Sequence, residues 1–449
     1  MGRQGQTMKQ IGRRPAGGQP RMTFVRRSIG QQHLLGAIGL ASVAVVGLDI
    51  VASRGATTTA SSRGTWARRW GRHAGRGALV TAILALAFSP APGQAARNGA
   101  IPSVGAGTGY PTGHGPYSVA AFADAVTKRP DLVTANNAAN SVSVLRGKAD
   151  GSFQAPATYR VGKSPTDATV FADAATGRPD LAVTNNAVGT VSVLRGRADG
   201  TFQAPATYAV GAGPRFVAAF KDAATGRPDL AVANEVDDTV SVLRGVADGS
   251  FRASETYPAG SMPVCVAVFT DRATGRLDLA IADFGRDTIN VLRGKADSSF
   301  QAPATYVAGA GPNSLVAFAD ATTSRVDLAV ANSAANSVSV LRGKADGTFQ
   351  PQVTYTVAQE PSSVAAFKDA ATGRPNLAIA NVGANSVSVL RGKADGTFQP
   401  QVAYTVDQGP ESVTAFKDAA TNRPDLVVAL PVGDTVSVLR GATNGTFHG

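Results

Sequence analysis

One phrase, Arg-x-Asp-Leu, constrains this chain more than any other feature. Its Asp or Asn falls at Asp131, Asp180, Asp229, Asp278, Asp327, Asn376 and Asp425, each step being 49 residues. Other columns keep the same step. One runs from Phe122 to Phe416, another from Leu145 to Leu439 (each followed by Arg and Gly), a third from Phe153 to Phe447 and a fourth from Tyr110 to Tyr404. A period without drift means one supersecondary unit copied seven times, filling residues 107–449.

The first copy reads as four strands. Ser118–Phe122 is a short apolar strand, followed by a polar turn, then by the apolar run Asp131–Ala135. An Asn-rich turn leads to Ser141–Leu145, which alternates with period two. The Asp-Gly turn at Asp150-Gly151 then opens a fourth strand over Ser152–Tyr159, where Pro156 suits an edge. Four antiparallel strands repeated radially make a propeller blade. The expectation is an all-β, seven-bladed β-propeller, with an open β-solenoid as the alternative. The last copy stops at the start of its fourth strand, and residues 107–110 supply a matching piece. The two chain ends are expected to share one blade, which removes a free sheet edge.

The formal charge of +12 belongs to the leader. Residues 1–96 hold 13 Lys+Arg and one acid, Asp49, and the remainder is balanced. A nucleic-acid footprint is therefore not expected. Cys265 is the only cysteine, which excludes an intrachain disulfide and a cysteine-rich zinc site. Its position in the repeat matches Ser118, so a small buried residue is expected there.

Arg68, Arg69, Arg72 and Arg76 precede an apolar run from Ala78 to Phe88, with small residues at Gly93 and Ala95. That order reads as a signal peptide over about residues 65–95, cleaved after Ala95 or Ala96, with 97–106 as linker. Export to the periplasm, cell surface or medium follows, and the ring itself is not expected to enter a membrane. The apolar stretch Leu34–Leu48 reads either as an anchor or, preferably, as part of a segment upstream of the true translation start.

The run Arg178-Pro-Asp-Leu-Ala-Val-Thr-Asn185, followed by Val191-Ser-Val-Leu-Arg-Gly-Arg-Ala-Asp-Gly-Thr-Phe202, resembles the FG-GAP/VCBS repeat. The resemblance covers residues 107–449. It implies a propeller like the head of integrin alpha chains, with extracellular adhesion, ligand recognition or surface attachment. Family members carry a calcium loop of the form D-x-[DN]-x-D-G-x-x-D. Here the corresponding loop is Asp173-Ala-Ala-Thr-Gly-Arg-Pro-Asp180, with its intervening acids lost. Calcium wants six to eight oxygens, so no cofactor is expected, with calcium as the disfavoured alternative. Instead Arg129, Arg178 and Arg227, with their equivalents, are expected to bridge the paired acids Asp124/Asp131, Asp173/Asp180 and Asp222/Asp229, with Thr capping the turn.

The two ends of the ring differ. The end holding the first-to-second and third-to-fourth turns is charged. The other is rich in Asn, Gly, Ala and Ser, and it is where the copies diverge. Its most divergent positions are Arg215, Phe216, Glu235, Asp237, Asp238, Phe284 and Arg286, which form the candidate binding patch. No Ser/His/Asp or Cys/His constellation and no phosphate-binding loop is visible, and His114 and His448 lack a third ligand. The function expected is a non-catalytic, monomeric recognition or adhesion module for an extracellular protein or glycan. A lectin-type propeller is the alternative, and a polysaccharide lyase or hydrolase a lesser one. Both Trp residues, Trp66 and Trp70, lie in the leader, which weakens the lectin reading.

Overall fold

The structure is a computed structural model and describes residues 107–124 and 126–449. The expected signal peptide, translation start and linker lie outside the described residues. The described chain is a seven-bladed propeller of antiparallel four-stranded sheets.

In the first blade the strands are Pro116–Ala123, Pro130–Asn136, Ser141–Leu145 and Ala157–Arg160, paired in sequence order. The fourth strand thus begins later than Ser152. Phe153 makes only a single bridge, to Gly147, and is buried between blades. Gln154 and Ala155 after it are exposed, and regular strand pairing resumes only at Ala157. First strands of successive blades touch one another around a closed cycle, so they line the axis. The second strand is buried on both faces, which is why its sequence is a near-continuous apolar run rather than an alternation.

Closure joins the two ends of the array. Thr108–Pro111 pairs antiparallel with Thr435–Gly441, with Tyr110 opposite Val436. The outermost strand of the seventh blade therefore comes from the start of the array. Phe447–His448 pairs with the far end of the same third strand. His114 binds Asp434 at one end and His448 faces Arg440 at the other, so closure keeps the two histidines apart.

Seven apolar clusters hold the ring, and each lies between two consecutive blades. Val133, Ala135, Val142 and Val144 of the first blade pack on Ala168, Leu181, Val183, Leu194 and Phe202 of the second. Val119, Leu132, Leu145 and Phe153 pack on Val427, Ala429, Val436 and Val438 across the closure. The aromatic columns sit in these seams. Tyr159 meets Phe202 edge to face at 5.6 Å, and Tyr110 meets Phe153 at 5.3 Å. The Tyr column is thus packing, worth about 0.5–1.5 kcal/mol per pair beyond burial.

Candidate functional site

At the charged end, the Asp/Asn column has one structural duty. The Gly147 N–H donates to Asp131 Oδ1 at 2.9 Å, fastening the end of the third strand to the start of the second. The same bond recurs in every blade, including Gly392 N–H to Asn376 Oδ1 at 3.0 Å. Asn serves as well because the bond needs only one acceptor oxygen. Burial raises Asp131, Asp180, Asp278 and Asp327 to about 6, against the opposing Gly N–H bond.

The preceding acid shapes the turn. Asp173 Oδ1 accepts from the N–H groups of Ala175 and Thr176, and the Arg178 N–H donates to Thr176 Oγ1 at 3.3 Å. Threonine capping is as expected. Burial works against ionisation of Asp173, yet the Thr176 and backbone bonds outweigh it and hold the carboxyl below its ordinary range.

The bridging arginine is not the expected one. Arg129, Arg178, Arg227 and their equivalents form no ion pair among the described residues. The carboxylates are met instead by the arginine of the Leu-Arg-Gly column. Arg244 reaches Asp229 at 2.8 Å, and Arg440 reaches Asp425 at 2.7 Å and Asp418 at 3.3 Å. The reason is position: the third strand ends over the paired acids, so its arginine reaches their carboxylates. The same guanidinium also crosses to the next blade. Arg195 donates to the Asp248 carbonyl at 2.6 Å and Arg342 to that of Asp395 at 2.7 Å. Arg440 donates to the Gly151 carbonyl at 2.5 Å, across the closure. Gly151, with φ +78°, leaves room there for Arg440 and Asp418.

The axis presents different chemistry. Six first strands open on Pro, and in the seventh blade Pro410 lies just before Ser412–Lys417; the residue after Pro is different in every copy: Tyr117, Thr166, Arg215, Val264, Asn313, Ser362 and Glu411. In six blades the strand pairing shifts register at this point, a β-bulge that re-aims a side chain. These residues and their successors line an axial cavity of about 70 Å³, room for a few waters.

The successors form a ring of inter-blade bonds. The Ala168 N–H donates to Ser118 Oγ (3.1 Å), Val364 to Ser314 Oγ (3.2 Å), Val413 to Ser363 Oγ (3.2 Å) and Val119 to Ser412 Oγ (3.3 Å). Cys265 Sγ accepts from the Leu315 N–H at 3.5 Å, which is the small buried role expected of it. Asp167 Oδ2 takes the same place, accepting from Val217 N–H at 3.0 Å. A hydroxyl suffices for that bond elsewhere, so the carboxylate is more than the frame requires. Burial pushes Asp167 to about 6, against the Val217 and Ser118 bonds.

Arg215 spans the channel. It pairs with Glu235 at 3.2 Å, donates to Tyr117 Oη at 3.1 Å and to Asn313 Oδ1 at 3.4 Å, and stacks over the Tyr117 ring at 5.9 Å. Tyr117 and Asn313 lie two blades away on either side. Arg215 pulls the Tyr117 phenol down, but burial and the Glu411 and Glu235 carboxylates leave it raised. Burial likewise raises Glu411, against Arg215.

The expected patch thus separates. Arg215, Phe216 and Glu235 belong to the axial site. Asp237 and Asp238 accept from the N–H groups of Ala212 and Met262 and hold turns. Phe284 packs on the core between the fourth and fifth blades, and Arg286 closes a turn onto the Asp283 carbonyl. Sequence reasoning missed Tyr117, Asp167, Asn313 and Glu411. For Tyr117, Asn313 and Glu411 the available signal was the one column, just after Pro, in which all seven copies differ; for Asp167 it was the single carboxylate in the next column.

No family model matches the chain, and no curated protein matches it. Among solved structures, the periplasmic gluconolactonase of Pseudomonas aeruginosa superposes with a TM-score of 0.55 at 20% identity, over 76% of this chain and 95% of that one. A protein of Bacteroides uniformis assigned as a 6-phosphogluconolactonase gives 0.57 at 16% identity, over 70% and 92%. BBS1N, crystallised in complex with ARL6DN, gives 0.55 at 12%, over 75% and 96%. These likenesses establish the fold. They overturn the step from ring to non-catalytic adhesion, and the expectation that the chain is no enzyme, because rings of this architecture bear the names of lactone hydrolases. No helix among the described residues is long and apolar enough to cross a membrane.

Proposed function

We propose that the ring is a hydrolase of cyclic esters, a lactonase, working at the axial mouth. The observation that carries this reading is the convergence of Asp167, the one carboxylate in an otherwise hydroxyl, thiol or phenyl column, with Arg215, Tyr117 and Asn313 on one cavity. Support also comes from the neighbours named gluconolactonase and 6-phosphogluconolactonase.

The chemistry follows from these groups. The Asp167 carboxylate takes a proton from water while the water oxygen adds to the lactone carbonyl carbon. The Tyr117 hydroxyl and the Asn313 amide, both held by Arg215, donate to the oxyanion that develops. Collapse breaks the ring carbon–oxygen bond, and the proton held by Asp167 passes to the leaving oxygen, giving a hydroxy acid. The cavity is too small for a sugar lactone, so the lactone lies across its mouth with the carbonyl edge inward.

Export is part of the proposal, resting on the order of segments from Arg68 to Ala95 and on the periplasmic neighbour. Kinship with FG-GAP/VCBS repeats rests on the repeat residues alone. The test is hydrolysis of glucono-δ-lactone by the purified chain in a pH-stat. Asp167→Asn keeps an acceptor for Val217 and should lower kcat about 10²–10⁴-fold. Equal rates in wild type, D167N and buffer would end the reading.

A further inference from the structure

The two faces of the ring carry opposite charge. Among the described residues, turns and strand ends on the variable face hold 10 acidic and 4 basic side chains, while the other face holds 20 and 25. At the axial mouth the imbalance is local. Among the described residues, Arg215 is the only cation lining the cavity. Both of its terminal nitrogens are already engaged, by Glu235, Tyr117 and Asn313. Glu411 and Asp167 line the same cavity and add negative charge.

An anionic substrate would need a cation free to meet it. Here the guanidinium is neutralised within the site, and the remaining basic groups of this face, Arg160, Lys163 and Arg286, do not line the cavity. A phosphate or carboxylate on the substrate would approach uncompensated carboxylates in a partly desolvated channel, where like charges repel strongly. A neutral polyol meets no such barrier, because Glu235, Glu411, Asn313 and Tyr117 accept hydroxyl hydrogen bonds. Building on the lactonase reading, we infer that the site takes an uncharged sugar lactone and turns away a phosphorylated or carboxylated one. The two names borne by its neighbours thus divide: the gluconolactonase substrate fits, the 6-phosphogluconolactonase substrate does not.

The experiment compares kcat/KM for glucono-δ-lactone and 6-phosphogluconolactone with the full chain, at low and at high salt. The neutral lactone should be preferred at least about tenfold at roughly 0.01 M salt, with the gap narrowing toward 1 M as screening shortens from ~30 Å to ~3 Å. Glu411→Gln, which loses charge but keeps shape, should shrink the preference several-fold. Equal or better turnover of the phosphorylated lactone would overturn the inference and leave the lactonase reading standing. If neither lactone is hydrolysed, the lactonase reading falls. Calorimetry with inorganic phosphate then decides the charge claim by itself: no saturable binding upholds it, and millimolar binding abolished by Arg215→Ala refutes it.

Discussion

Replacing Asp180 with Asn should stabilise the ring at neutral pH and do nothing in acid. Asp180 Oδ1 accepts the Gly196 N–H at 2.8 Å, while Oδ2 is buried without a partner. Burial raises this carboxyl to about 6, and the nearby Asp173 carboxylate adds to the rise. A folded-state value above the unfolded one means that the native state holds the proton more tightly. The associated stability is complete below about pH 4 and lost as pH rises through about 6. A rise from an ordinary aspartate to about 6 corresponds to about 3 kcal/mol in the ideal case. Solvent near the ring's rim screens this to roughly 1 kcal/mol. Asn keeps the acceptor oxygen, removes the charge and offers an N–H toward Asp173, as Asn376 does toward Asp369 in the sixth blade. Asp180→Asn should therefore gain about 1 kcal/mol at pH 8, raising Tm by roughly 1–2 °C in a domain of this size. Combining Asp131→Asn, Asp180→Asn, Asp278→Asn and Asp327→Asn should gain about 4 kcal/mol, since the sites are too far apart to couple strongly. Calorimetric melts of wild type and both variants at pH 4 and pH 8 test this. A loss of Tm at pH 8, or an equal gain at both pH values, would refute the burial argument.

Three other outcomes are expected. Arg244→Ala should cost about 1–3 kcal/mol, since it leaves Asp229 buried and unpaired, while Arg227→Ala should stay within about 0.5 kcal/mol; chemical denaturation of both reads the difference. Deleting residues 107–115 strips the seventh blade of its outer strand and Phe153 of its Tyr110 partner, so Tm should fall by on the order of 10 °C or more, measured by circular dichroism. Chelation with EDTA, or added calcium, should shift Tm by less than about 1 °C, because the loop acids are taken up by backbone N–H groups and by the Leu-Arg-Gly arginines.

Blade number, strand order and the shared blade at the chain ends were legible in the sequence, because a fixed period reports geometry directly. The Asp/Asn column was legible as a position but not as a clamp on Gly147, since the bond spans two strands. The arginine assignment failed for a physical reason. Arg129 is near the acids in sequence, whereas Arg146 comes to them only when the third strand folds back over the second. The axial site stayed hidden because the bulge after Pro in six blades breaks the alternation that says which way a side chain points. Recurrence marks the columns that repeat, whereas the cavity is lined by the column that varies and by Asp167, the exception in the next.

That column has an evolutionary consequence. Each wedge donates two adjacent side chains to the hub, while most other positions of the copy serve to make a wedge. Exchange between copies would therefore rearrange the chemistry at the hub without disturbing the scaffold. Misaligned exchange would instead add or drop a wedge and break the seal at Thr108–Pro111, so a lineage built this way can vary its ligand far more readily than its girth.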